Sequence, residues 1–363
     1  MRIAFFGSSL LSAYWNGAAT YYRGLLRALA ARGHRITFYE PDAFDRQAHR
    51  DIAVPDWAKV VVYDANMSAV DRVLEEARDA DVIVKASGVG VFDERLEAGV
   101  LDARRRNALA VFWDVDAPAT LDRMQRDPDD ALRRLVPRFD MILTYGGGDP
   151  VVAAYTALGA RVCVPVYNAL DPTTHFPVPA EAHFAADLSF IGNRLPDREA
   201  RVESFFLAAA ATLPELRFLL AGNGWGDKAV PANVRYHGHA YTRDHNALNC
   251  SALAVLNINR ASMARYGFSP PTRVFEAAGA GACLITDAWD GIELFLEPGR
   301  EILVARSGDE VAALLRDLRP QRAHSIGAAA RARVLAHHTY DHRADQVDAL
   351  LQGRAVAPAQ AGA

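Results

Sequence analysis

The feature that most constrains the fold is an alternation of short apolar runs with helical patterns, which occurs twice along the chain. The runs lack the polar alternation of a half-solvated strand, so they are typical of strands buried on both faces of a parallel sheet. The predicted strands of the first part are Arg2–Phe6, Arg35–Tyr39, Val60–Tyr63, Asp81–Lys85, Ala108–Trp113, Met141–Thr144 and Arg161–Val166. This pattern predicts a Rossmann-like, doubly wound α/β domain over residues 1–167.

The same pattern begins again after a proline-containing stretch, Asn168–Pro179, which is typical of a connection between domains. The predicted strands beyond it are Leu188–Ile191, Arg217–Ala221, Val234–Tyr236, Ala252–Ile258, Ala282–Thr286 and Ile302–Val304. We therefore expect a second Rossmann-like domain over residues 168–338, facing the first across a cleft. A final helix over 339–352 is expected to return to the first domain, and the tail 353–363 is expected to be disordered.

Composition excludes several classes of protein. The 363 residues carry 40 basic and 44 acidic side chains, so no surface for nucleic acid is expected. The three cysteines, Cys163, Cys250 and Cys283, lack metal-binding spacing and fit apolar thiols in a reducing compartment. Glycine, serine and asparagine interrupt the uncharged stretch Ile3–Tyr22, and no apolar run approaches the roughly 20 residues of a membrane span. These features predict a soluble, cytoplasmic protein.

The segment Gly267–Thr286 is the most informative for chemistry. Two prolines and Thr272 predict a helix start, with Arg273 and Glu276 on the first turn. A helix N-terminus offers unpaired N–H groups and a positive dipole end, so it suits phosphate, and Arg273 would add a charge. Glu276 could accept hydrogen bonds from two vicinal hydroxyls; alternatively, it caps the helix as a partner of Thr272 or Arg273.

A family resemblance is carried by Arg273–Gly281, Leu284–Asp287, Glu293–Phe295 and Pro298–Leu303, together with Asp187–Arg194 and Arg198. These residues resemble the C-terminal domain of GT-B glycosyltransferases, in particular the CgeB-like group named after a spore-maturation protein. The resemblance spans about 187–315. The first domain fits by architecture only, through the turn at Gly7 and the segment Trp113–Pro118. The implied activity is transfer of a sugar from a nucleotide-diphosphate sugar to an unidentified acceptor hydroxyl, with no metal or other cofactor.

The resemblance also implies roles for single residues. Glu276 would bind the ribose, while Arg194 or Arg198 and the Thr272/Arg273 helix start would hold the diphosphate beside Gly192. The remaining nucleotide-binding candidates are Gly222, Gly224, His239 and Gly7. Phe268 stands where many retaining enzymes have a second glutamate, so the stereochemical outcome stays open. Surface ion pairs are the alternative for the two arginines.

Two further motifs contain residues that suggest a ligand or a catalytic role. Gly222-Asn-Gly224 begins like a dinucleotide fingerprint, but Asp227 occupies the position of the third glycine, which argues against NAD. Asp114-Val-Asp116 follows a predicted strand, and Asp116 could be the catalytic base, a metal ligand or a helix cap. The rival functions are a sugar-nucleotide epimerase of the same architecture and a non-catalytic sugar-binding or assembly protein.

Overall fold

The computed structural model describes residues 1–354, which form two compact units. The first unit contains Met1–Asn168 together with the helix that begins at Tyr340, and the second contains Ala169–Thr339. The predicted disorder of the tail falls largely on residues 355–363, which lie outside the described residues. Within residues 1–354, no helix is both long and apolar enough to cross a membrane.

The first unit is built on a seven-stranded sheet in which all neighbouring strands are parallel. Its strands are β1 Arg2–Phe6, β2 Arg35–Asp42, β3 Ala58–Asp64, β4 Val82–Ala86, β5 Leu109–Asp114, β6 Met141–Thr144 and β7 Cys163–Pro165. The order across the sheet is β3-β2-β1-β4-β5-β6-β7. The helices between the strands are α1 Ala19–Ala31, α2 Met67–Ala77, α3 Asp93–Ala103, α4 Ala117–Arg126, α5 Ala131–Leu135 and α6 Gly148–Ala157.

The second unit repeats this plan with a six-stranded parallel sheet of order β10-β9-β8-β11-β12-β13. Its strands are β8 Ala186–Ile191, β9 Phe218–Ala221, β10 Val234–Gly238, β11 Ala252–Asn257, β12 Leu284–Asp287 and β13 Leu303–Ala305. Its helices are α7 Glu199–Val202, α8 Ala208–Thr212, α9 His245–Ser251, α10 Ala261–Tyr266, α11 Thr272–Gly279, α12 Gly308–Asp317 and α13 Pro320–His337. One π-helical segment, Glu203–Leu207, joins α7 to α8.

The predicted fold class is confirmed, because each apolar run predicted as a strand corresponds to one strand of the two sheets. The central strands are buried on both faces, as Ile3–Phe6 in β1 and Leu188–Ile191 in β8 show. In each sheet the strand order reverses beside the first strand, between β1 and β4 and between β8 and β11. Ligands of open α/β sheets bind outside the carboxyl ends of the strands at such a point. This rule directs attention to the loops that follow β8–β11.

The last helix, α14 Tyr340–Leu351, packs against α1 in the first unit. The ring of Tyr340 lies so close to Gly24 that a Cβ there would stand 2.1 Å from a ring carbon. Arg32, at the end of α1, forms ion pairs with Asp341 and Asp345. The first unit is therefore completed by residues from both ends of the described chain.

Candidate functional site

Three loops at the carboxyl ends of β8, β9 and β10 are tied together by backbone hydrogen bonds. The Gly192 N–H donates to the Ala221 carbonyl at 2.9 Å, and the Gly222 N–H donates to the Gly238 carbonyl at 2.7 Å. The third bond runs from the Arg194 N–H to the Asn223 carbonyl, also at 2.9 Å. His239 joins them through Nδ1, which lies 3.2 Å from Asn223 Oδ1. The structure thus brings together the predicted nucleotide-binding residues Gly192, Arg194, Gly222, Gly224 and His239.

Two of these glycines are required by the close approach of the loops. Gly222 has a φ of +124°, and a Cβ there would lie 2.2 Å from the Gly192 carbonyl oxygen. A Cβ at Gly192 would lie 2.7 Å from Nη1 of Arg198. A side chain at either position would force the backbone or the guanidinium to move. Gly222 therefore allows the β9 loop to approach the β8 loop, and Gly192 allows the Arg198 guanidinium to lie against the β8 loop.

The two arginines proposed for phosphate differ in their surroundings. Nη2 of Arg194 lies 2.7 Å from Glu199 Oε1, and its Nη1 lies 2.9 Å from Asp227 Oδ1. These partly exposed pairs favour the ion-pair interpretation of Arg194. Arg198 is the residue before α7 and lies against Gly192. A role in phosphate binding stays a prediction for Arg198.

Glu276 lies on α11 and is only 4% exposed. Its Oε2 lies 3.3 Å from Nη1 of Arg273, and Thr272, at the start of the same helix, also lowers the pKa of the carboxyl group. The N-cap residue of α11 is Pro271, which has no N–H for a glutamate side chain to cap. A capping box that uses the N-cap N–H therefore cannot form, but a structural role as the partner of Arg273 or Thr272 stays the alternative for Glu276.

Two histidines that the sequence reasoning did not identify flank Glu276. Nε2 of His175 lies 4.0 Å from Glu276 Oε1, and His245, the first residue of α9, lies beside both. Burial lowers the pKa of His175 and lowers that of His245 to about 3, so both rings are neutral near pH 7. Nothing in their sequence spacing marked them, because the three residues come from separate segments.

Glu276 nevertheless remains ionised in this buried environment. Burial alone would raise the pKa of its carboxyl group, but its surroundings, above all the charge of Arg273, outweigh that effect, and the net pKa lies below its ordinary value. A buried carboxylate of this kind is a strong hydrogen-bond acceptor, as the hydroxyls of a sugar require.

The Asp114-Val-Asp116 motif lies at the end of β5 in the first unit. Asp114 is fully buried and accepts hydrogen bonds from the hydroxyls of Tyr155, Ser87 and Thr120 at 2.5, 2.7 and 3.0 Å. Since these donors and the Asp116 N–H occupy its oxygens, Asp114 is not available to share a metal with Asp116. Asp116 is the residue before α4, but its side chain makes no capping hydrogen bond. The metal-ligand and side-chain-cap interpretations therefore lose support.

Gly7, the remaining predicted nucleotide-binding residue, follows β1. A Cβ at this position would lie 2.5 Å from the ring of Phe38, and the Gly7 N–H donates to the Tyr39 carbonyl at 3.1 Å. Packing against β2 is thus sufficient to require glycine here. A role for Gly7 in ligand binding stays a prediction.

Residues 198–349 match a family model described as glycosyl transferase-like. No curated protein matches the sequence significantly. The matched range begins at Arg198, includes α11 with Glu276, and ends within α14. The match therefore covers most of the candidate site in the second unit, but not the loop at Gly192.

Several solved structures share the fold along nearly the whole chain. Sucrose-phosphate synthase from Thermosynechococcus elongatus superposes with a TM-score of 0.71 at 15% identity, covering 97% of this chain and 98% of its own. Anabaena HepE, solved with UDP and glucose, superposes with a TM-score of 0.69 at 14% identity, covering 97% of this chain and 100% of HepE. An alpha-glucosyltransferase, solved with UDP-glucose and DNA containing an abasic site, superposes with a TM-score of 0.70 at 12% identity. The superposition covers 97% of this chain and 99% of that enzyme. The expected GT-B fold is confirmed.

Proposed function

We propose that this chain, a glycosyltransferase with the GT-B fold, moves a sugar from a nucleotide-diphosphate donor to an acceptor hydroxyl. The observation that carries the proposal is Glu276, a buried and ionised carboxylate on the α11 turn beside Arg273. HepE and the alpha-glucosyltransferase were solved with UDP or UDP-glucose, which supports a nucleotide sugar as the donor class. The narrower CgeB-like resemblance and a cytoplasmic location belong to the same proposal.

In this proposal the donor is held by the second unit. Glu276 accepts hydrogen bonds from the ribose hydroxyls, and the loops at Gly222 and His239 surround the base. Arg198, Arg273 and the N–H groups at the start of α11 neutralise the diphosphate, so the leaving group needs no metal ion. In the first unit, Asp116 accepts the proton of the acceptor hydroxyl.

A nucleotide-sugar panel tests the function directly. We expect one member of a series of UDP-, GDP-, ADP- and dTDP-sugars to raise the melting temperature, since a ligand at 100 times its Kd stabilises a protein by about 2.7 kcal/mol. Nucleotide release measured in excess EDTA should require an added acceptor. Release without an acceptor would favour the epimerase, and binding without release would favour a non-catalytic sugar-binding protein.

The two loop arginines provide a matched pair of variants. Arg198→Ala is expected to lower the affinity for the nucleoside diphosphate about tenfold, because one hydrogen bond to a charged group contributes about 1.5 kcal/mol or more. Its affinity for the nucleoside without phosphates should stay unchanged. Arg194→Ala should leave both affinities near the parental values, because its ion pairs lie with Glu199 and Asp227. Calorimetric titration of both variants with the nucleoside diphosphate measures these affinities. An equal loss of affinity in Arg194→Ala would contradict the assignment of Arg198 as the phosphate ligand.

A further inference from the structure

A cluster of potential metal ligands lies within the second unit. His175 precedes β8, His245 begins α9 and Glu276 lies on α11, and one ligating atom from each residue lies within 4.8 Å of the others. His175 and Glu276 are 3% and 4% exposed. Two imidazoles and one carboxylate are a ligand set that zinc and related divalent metals accept in proteins.

Each of the two histidine rings has one buried nitrogen of interest, and that of His175 faces Glu276 Oε1 at 4.0 Å. Nε2 of His175 and Nδ1 of His245 are buried and make no hydrogen bond within the described residues. Leaving such atoms without a partner costs free energy, which a bound ligand would recover. Both atoms are therefore suited to donate a lone pair to a metal ion.

The other parts of the three side chains are already held. Nδ1 of His175 is hydrogen-bonded to Thr174 Oγ1 at 3.0 Å, and the backbone of Ala240 lies close to the His245 ring. Metal-binding histidines typically have their second ring nitrogen fixed in this way. Glu276 divides its oxygens, with Oε2 toward Arg273 and Oε1 toward His175.

We propose that His175, His245 and Glu276 bind a divalent transition-metal ion of the zinc class, with a fourth position open to water or another oxygen ligand. Bonds of about 2.0–2.2 Å in a tetrahedral site place ligand atoms about 3.3 Å apart. The 4.0 Å between His175 Nε2 and Glu276 Oε1 therefore needs a contraction of less than about 1 Å, and the 4.8 Å within which all three ligand atoms lie limits any contraction to about 1.5 Å. Such a site departs from the expectation that the protein binds no metal.

Arg273 limits the affinity of this site, since its guanidinium lies 3.3 Å from the same carboxylate. A dication would be repelled by this charge across a buried space. Replacing Arg273 with glutamine should therefore tighten metal binding. If the three residues did not bind a metal, Arg273→Gln would not raise the affinity of the protein for metal.

Occupation by a metal also has a consequence for the donor. Because Glu276 is the proposed ribose ligand, a metal on Oε1 and the ribose hydroxyls compete for the same carboxylate. This competition, unlike the metal site itself, rests on the proposed function. Zinc-class ions would then act as inhibitors of donor binding.

The test begins with the chelator-treated full chain, titrated with Co²⁺ and then Zn²⁺ in the absence of nucleotide. We expect one Co²⁺ per chain with visible ligand-field bands, displaced by Zn²⁺. His175→Ala, His245→Ala and Glu276→Gln should each weaken binding by at least 10- to 100-fold, the range seen when even outer partners of a metal site are removed. The control is His183→Ala, whose exposed ring pairs with Glu181 and should not affect metal binding.

Melting curves of the metal-free variants show which of them are folded. Metal binding is then compared only among the folded variants. Absence of stoichiometric Co²⁺ binding, or binding that the three folded variants retain, would overturn the site. Zn²⁺ should weaken nucleotide binding by the parent and not by His175→Ala. If the protein binds the metal but its nucleotide affinity does not change, only the proposed competition is wrong. If the protein binds nucleotide normally but binds no metal, the metal site is wrong and the proposed function is unaffected.

Discussion

Replacing Asp116 with asparagine is expected to lower kcat by about 10²- to 10⁴-fold while donor affinity stays nearly unchanged. Asparagine keeps the size of the side chain and the backbone bonds around α4, but it removes the basic oxygen that would take the acceptor proton. Steady-state kinetics with saturating donor, combined with direct titration of the donor, separate the two quantities. A kcat equal to that of the parent would remove Asp116 from the reaction.

Asp114→Asn is the matched control for this prediction. Asp114 accepts hydrogen bonds from Tyr155, Ser87 and Thr120 in a fully buried position. An amide nitrogen in place of one oxygen would face a donor, at a cost of about 1–3 kcal/mol in the free energy of unfolding. We expect a lower melting temperature for Asp114→Asn and a normal one for Asp116→Asn. If the two variants lose stability equally, a structural role for Asp116 explains the result.

Replacing Glu276 with glutamine is expected to lower donor affinity about 10- to 100-fold. Each hydrogen bond to a charged group contributes about 1.5–3 kcal/mol, and the amide supplies only one acceptor oxygen without charge. A 2′-deoxy donor, which lacks one of the hydroxyls, should bind the parent weakly. The variant should distinguish the two donors less than the parent does.

Affinities for both donors, measured on both proteins in EDTA, decide the role of Glu276. EDTA removes any metal that would compete for the carboxylate. If Glu276 serves only to hold Arg273 and Thr272 on α11, the melting temperature should fall while the ratio of the two affinities stays constant. That result would exclude Glu276 from ribose binding.

The fold was predictable because strands covered on both faces are apolar along their whole length. The runs at Ile3–Phe6 and Leu188–Ile191 have no polar alternation except Ser189, and both are central strands of their sheets. The loops at Gly192 and Gly222 could also be grouped in advance, since the carboxyl ends of parallel strands meet at one edge of a sheet. The local sequence pattern therefore predicts which loops lie together at the candidate site.

Contacts between distant segments could not be predicted in this way. His175 and His245 approach Glu276 only because α9, α11 and the chain before β8 pack together. The Asp114-Val-Asp116 spacing was compatible with a metal site, and only the folded structure shows that Tyr155, Ser87 and Thr120 donate hydrogen bonds to Asp114. No residue type or spacing near either group indicates these partners.

The contribution of α14 to the first unit has a consequence for biosynthesis. The surface of α1 that receives Tyr340 next to Gly24 is made early, but its partner is made only after the whole of Ala169–Thr339. At about 5–20 residues per second, a ribosome needs on the order of 10 to 30 s for that stretch. During this interval we expect the first unit to lack the helix whose Tyr340, Ala344, Val347 and Leu351 are buried in the complete fold. The second unit, although its strands are translated later, has all of its described elements by Thr339, before the first unit receives α14.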